Sequence, residues 1–130
     1  MMLGFRVWDN LNKTFEWPIN FYMTDLGELE YTDSDYSSPY PLGEFFENRF
    51  ISMQFTGIYD WQDKPIYEGD VLFLYRKTGN NIYYLVENIK DFLIIYGQDY
   101  YNIEKISNDG NIYECPALLE RVKNDNTDEL

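Results

Sequence analysis

Gln54-Phe55-Thr56-Gly57-Ile58-Tyr59-Asp60, continuing after a short turn into Lys64-Pro65-Ile66-Tyr67-Glu68-Gly69-Asp70-Val71, is the stretch whose reading decides the fold. It reads as a strand over residues 50–56, a polar turn, a second short strand, and a Gly-Asp bend that opens a third. Gly57 falls where a missing Cβ permits a positive φ at a turn or bulge. Glu68-Gly69-Asp70 has the chemistry of a bend, with Gly turning the chain and carboxylates bonding backbone amides. Asp60, Glu68 and Asp70 are read in that role. Beyond it, extended segments are predicted over residues 71–77, 82–88, 92–96, 100–106 and 111–114. The separators at residues 78–81, 89–91, 97–99 and 107–110 are rich in Gly, Asn and Asp. Short strands at regular spacing predict a small barrel or sandwich.

Working outward, Phe5-Arg6-Val7-Trp8-Asp9 is a short strand, and Asn10, Asn12 and Lys13 supply a turn. Residues 14–23 form a second extended piece, interrupted by Pro18, which favours an edge or bulge. Residues 25–44 are a long loop by composition, with Asp33, Ser34, Asp35, Ser37, Ser38, Pro39 and Pro41. Residues 44–48 have room for one helical turn. At the other end, Gly110-Asn111-Ile112-Tyr113-Glu114-Cys115-Pro116-Ala117-Leu118-Leu119 leads into a helix over residues 116–122. Pro116 lacks only a donor that a first helical turn would leave unused. Leu118, Leu119 and Val122 are its core-facing side.

These runs resemble the YopX family of phage and prophage proteins. Its pattern is close to F-R-x-W-D, then Q-F/Y-T-G-L/I-x-D, then I-Y/F-E-G-D-I/V, then G-N-I/V-Y/H-E-N-P-x-L-L. The ordered matches run from Phe5 to Leu119. The chain departs at Gln62-Asp63, where an Asn-Gly-like pair is usual, at Pro65, and at Cys115, where Asn is usual. The resemblance implies a phage or prophage setting inside a bacterial host cell, and leaves the function open.

The fold expected is mainly β with an α+β part. An irregular N-terminal subdomain with a long acidic loop (residues 1–49) precedes a small SH3-like β-barrel (residues 50–122), closed by the short C-terminal helix. A frayed acidic tail (residues 123–130) follows. Hydrophobic residues make up 45% and aromatics 19% of the 130 residues, which excludes global disorder. The net charge of −13 repels a nucleic-acid backbone, so no direct nucleic-acid binding is expected. It leaves a second reading, an acidic mimic of nucleic acid that blocks a host DNA-binding protein. One cysteine precludes an intrachain disulfide and points to a reducing cytoplasm. No leader opens the chain and the apolar run at residues 92–96 is too short to span a bilayer, so no membrane partner is expected.

Histidine is absent, which removes the commonest general base and metal ligand. Cys115 sits at a helix start, where a thiol can be activated. Without a His partner it reads instead as a helix cap or a small buried filler. The Asp33-Ser34-Asp35 stretch lacks the Gly and closing Glu of a calcium loop. The glycines, Gly110 included, form neither a dinucleotide fingerprint nor a phosphate loop. No catalytic, cofactor or metal residue is assigned, and a non-enzymatic protein is expected. The tyrosines and phenylalanines are assigned to core packing and subunit contacts rather than base stacking. In residues 71–75 and 82–86 both strand faces are apolar, so each needs a cover. The N-terminal segment or a second subunit would supply it, and a homo-oligomer that binds a host or phage protein is expected.

Overall fold

The computed structural model describes residues 4–16, 21–23, 29–31, 40–41 and 49–128. The chain divides into two compact units, Met1–Met53 and Gln54–Leu130.

In the first unit, β1 (Phe5–Asp9) and β2 (Thr14–Glu16) form an antiparallel hairpin with Trp8 opposite Phe15. Their rings meet edge to face at 5.0 Å, which buries Trp8. The turn closes because the Asp9 carboxylate accepts from the Leu11 and Asn12 amides while Lys13 adopts φ 57°. β1 lies between β2 and the opening of β6 (Phe50–Tyr59). A separate antiparallel meander contains β3 (Phe21–Met23), β4 (Leu29–Tyr31) and β5 (Tyr40–Pro41). Two of its strands fall inside the segment read as loop, where Asp, Ser and Pro outweigh any alternation that three-residue strands could show. The rest of that segment, Pro18 and the helical turn expected at residues 44–48 lie outside the described residues.

The second unit is mainly β with two helices. The end of β6 pairs with β7 (Pro65–Tyr67), Phe55 opposite Tyr67 and Tyr59 opposite Pro65. The register shifts between those pairs, where Gly57 takes φ 82°. Strand β6 therefore runs through Gly57 as a bulge instead of ending before it. A three-stranded antiparallel sheet has β8 (Asp70–Arg76) at its centre, flanked by β9 (Ile82–Leu85) and β10 (Ile103–Asn111). The Trp61 amide donates to the Ile106 carbonyl at 2.9 Å and ties the two curled sheets together.

Further elements differ from the sequence reading. Residues 92–96 are not a strand but the middle of helix α1 (Ile89–Gln98). Residues 100–106 begin with a short helical turn, Tyr100–Asn102, before β10. Residues 107–110 do not separate strands: they lie within β10, which ends at Asn111, so no strand covers 111–114. Helix α2 (Ala117–Asp128) starts just after Pro116 and continues past 122 to Asp128, into the stretch read as a frayed tail.

The core contains Ile66, Leu72, Leu74, Val86, Phe92 and Ile106. Leu72 and Leu74 share a sheet face with Tyr84, Ile82 and Ile106, and α1 covers that face with Phe92 and Tyr96. The opposite face carries Phe73 and Tyr83, with rings 4.6 Å apart. Helix α2 packs there, Arg121 lying 5.8 Å over the Tyr83 ring and Leu118 buried beside Gly110. Both apolar faces of the sheet thus pack against helices of the second unit itself.

Candidate functional site

The motif carboxylates of the second unit point at backbone. Asp60 is buried; its Oδ1 accepts from the Gln62 and Lys64 amides at 2.8 and 2.9 Å, and its Oδ2 from the Asn108 amide at 3.0 Å. Burial pushes its carboxyl up, and the three amides with the Lys64 charge more than reverse this, so it lies below the usual carboxylate range. Asp70, also buried, accepts from the Tyr67 amide and from Asn108 Nδ2 at 2.8 and 2.9 Å. Asn108 therefore joins Asp60 to Asp70. Glu68 stands apart from them, accepting from the Gln54 amide at 2.8 Å and the Ile89 amide at 3.3 Å, so it pins the start of α1. Gly69, at φ 90°, donates to Val86 and accepts from Ile112. Asp60, whose oxygens hold three amides and whose carboxyl lies below the usual range, is not poised to take a proton near neutral pH.

Gly110 donates its amide to Asn108 Oδ1 at 3.1 Å. Asn111 Oδ1 accepts from the Tyr113 and Glu114 amides, and its Nδ2 donates to Glu114 at 2.8 Å, which shapes the turn ahead of α2. These two asparagines were absent from the residues singled out by sequence. The signal was their placement beside Gly110, since Asn side chains mimic turns. Cys115 is exposed, so it is not a buried filler; its carbonyl accepts from Leu118, and the Pro116 carbonyl from Leu119.

A second charged cluster, unforeseen, lies in the first unit. Arg49 grips fully buried Asp9 with two hydrogen bonds of 3.0 Å, and the carboxylate also accepts from the Leu11 and Asn12 amides and from Asn12 Nδ2 at 3.0 Å. The guanidinium holds Asp9 far below the usual carboxylate range despite burial. Burial, then the hydrogen bond to Asp9 and the Asp9 charge, raise the carboxyl of neighbouring Glu16. The pair locks a hairpin turn to the residue before β6, with both charges compensated.

What the second unit presents outward is aromatic. Tyr59, Trp61, Tyr100 and Tyr101 are 42, 55, 53 and 86% exposed and line one cleft of about 390 Å³ with Lys77 and Lys105. Tyr96, Tyr100 and Tyr101 follow one another edge to face at 5.5 and 5.4 Å. The Lys105 ammonium is held between Trp61 and Tyr75, at 4.6 and 4.3 Å from their ring centres. A second cleft of about 450 Å³ runs along the outer edge of β9, between Ile94 and Ile95 of α1 and Val122 of α2. Among the described residues no group of three or more His, Cys, Asp or Glu is arranged to hold a metal ion, and no helix is long and apolar enough to cross a membrane.

Fold and surface together define a small, mainly β protein whose signature polar residues are built into its turns and whose outward cluster is aromatic. Its sequence matches the profile described as YopX protein over residues 4–120, and the chain belongs to the YopX family. No curated protein and no solved structure matches it.

Proposed function

We propose that this chain is a non-enzymatic phage or prophage accessory protein, working in the cytoplasm of a bacterial host, that assembles with itself and binds a host or phage protein. The observation that carries the reading is the exposed ring cluster around Trp61, the residue type richest in protein-binding energy. The family membership supplies the setting. The curled sheets of the second unit are read as an SH3-like arrangement, a scaffold that presents such clusters. For self-assembly the support is the outward side of α1, where Leu93 and Ile94 are 41 and 48% exposed beside the β9 cleft.

The test is purification of tagged protein from infected host cells, followed by reconstitution with the purified partner. The reading stands if the reconstituted complex forms with wild type, and it falls if no protein partner survives reconstitution. The mimic reading rests on the net charge of −13 alone. Asp9, Asp60 and Asp70 are buried and bonded, so they belong to no surface array of charges. Displacement of duplex DNA from a host DNA-binding protein by this chain would favour that second reading.

A further inference from the structure

We infer that the aromatic cleft of the second unit receives an extended, proline-containing peptide segment bearing one or two carboxylates. This rests on the protein-binding reading above and names the class of segment bound. A polyproline-type helix has no internal hydrogen bonds, so its carbonyls need donors and its pyrrolidine rings need flat apolar faces. The cleft offers both. Tyr100 and Tyr101 stand edge to face, which leaves ridges and slots between rings, and their hydroxyls are donors. Trp61 adds an indole face and an N–H.

The charge of the occupant follows from two lysines. The chain carries 23 acidic and 10 basic residues, so cations are outnumbered and carboxylate partners are plentiful. Arg49, Arg76, Arg121 and Lys123 each pair with a carboxylate. Lys77 and Lys105, both lining the cleft, pair with none among the described residues. Lys105 is moreover fixed in place between two rings. Of the cleft's carboxylates, Asp60 is committed to three amides, which leaves Glu104. Two available ammoniums beside one glutamate suit one or two carboxylates. They are too few for a phosphate backbone, whose many charges the net −13 repels.

Fluorescence anisotropy with a labelled dodecapeptide of prolines interrupted by glutamates tests this. Companion peptides carry Gln for Glu, Lys for Glu, or Ala for Pro, and a short oligo(dT) serves as the polyanion. Saturable binding is expected for the Pro-Glu peptide, with the Gln version weaker by about tenfold, the scale of one lost ion pair on a desolvated surface, and none for the Lys and Ala versions or oligo(dT). Tyr101→Ala should weaken binding about tenfold and Lys77→Glu with Lys105→Glu should abolish it, with thermal unfolding unchanged in Tyr101→Ala because that ring is 86% exposed. No saturable binding up to about 1 mM overturns the inference. So does equal or tighter binding of the Gln, Lys or Ala versions, or of oligo(dT). If Tyr101→Ala leaves a reconstituted protein partner bound as tightly as wild type, this inference falls while the protein-binding reading stands.

Discussion

Asp60 shows how a single side chain organises the second unit. Its two oxygens hold amides from residues 62, 64 and 108, so one carboxylate joins the β6–β7 turn to β10. Asp60→Ala strands those three donors and should cost about 3 kcal/mol, since one orphaned buried donor costs roughly 1–3 kcal/mol. Asp60→Asn keeps one acceptor oxygen and should cost less. Chemical denaturation at unchanged m value reads both. The pH dependence has a fixed sign. The folded carboxyl lies below its unfolded value, so its contribution is whole above roughly pH 4 and is lost as pH falls through the folded value. Wild type should therefore lose stability on acidification more steeply than Asp60→Asn. Parallel acid profiles would mean that Asp60 does not titrate between folded and unfolded states. The turn role of Asp60, Glu68 and Asp70 was legible because carboxylates beside glycines have a local partner to find. The environment of Cys115 was not, because exposure depends on how α2 lies on the sheet. Being exposed, Cys115 should react with a thiol reagent in the folded protein, and Cys115→Ser should leave the unfolding midpoint within about 0.5 kcal/mol of wild type. Protection of the thiol until unfolding would contradict this placement.

At the scale of elements, α1 marks where reading by pattern gave way. Phe92-Leu93-Ile94-Ile95-Tyr96 is apolar, β-branched and aromatic, and five residues cannot separate a period of 2 from one of 3.6. The deciding signal lay just upstream. Asn88 accepts from the Asp91 amide at 2.9 Å and donates to the Asp91 carboxylate at 3.0 Å, a reciprocal cap that starts the helix. Glu68 then fastens the first turn from across the unit, a contact no local window contains. The same nonlocality hid the length of β10: Asn108-Asp109-Gly110 has turn composition, yet Asn108 spends its side chain on Asp60's neighbour Asp70 and on Pro65 while the strand continues as a bulge. Helix α1 stays in place through Phe92, which is 2% exposed and packs on Tyr84 and Tyr96. Phe92→Ala should cost about 3–5 kcal/mol through the cavity it leaves. Asn88→Ala should cost about 1 kcal/mol through the lost cap. Similar costs for the two would show that burial of Phe92 is not what holds the helix to the sheet.

For the whole molecule, the apolar strand faces read as needing cover from the N-terminal segment or a second subunit pack against α1 and α2, and the surfaces open to association include the outward side of α1. The outer edge of β9 is a poor choice, because Asp125 of α2 accepts from the Tyr83 amide and occupies a donor that a pairing strand would require. The outward side of α1 is better: Leu93 and Ile94 are exposed beside an open cleft. Two copies that approach there each carry a net charge of −13. Their repulsion reaches about 30 Å at 0.01 M salt and about 8 Å at 0.15 M. Apolar contact between like-charged molecules should therefore strengthen as salt rises, the opposite of association through ion pairs. Light scattering coupled to size exclusion should give a mass that increases with protein concentration and with salt. Leu93→Glu with Ile94→Lys, confined to exposed positions, should hold the protein monomeric throughout with little change in thermal unfolding. A mass equal to the monomer at every concentration and salt level would remove self-assembly from the proposed function. A mass that falls with salt would move the contact from this helix face to charged residues elsewhere.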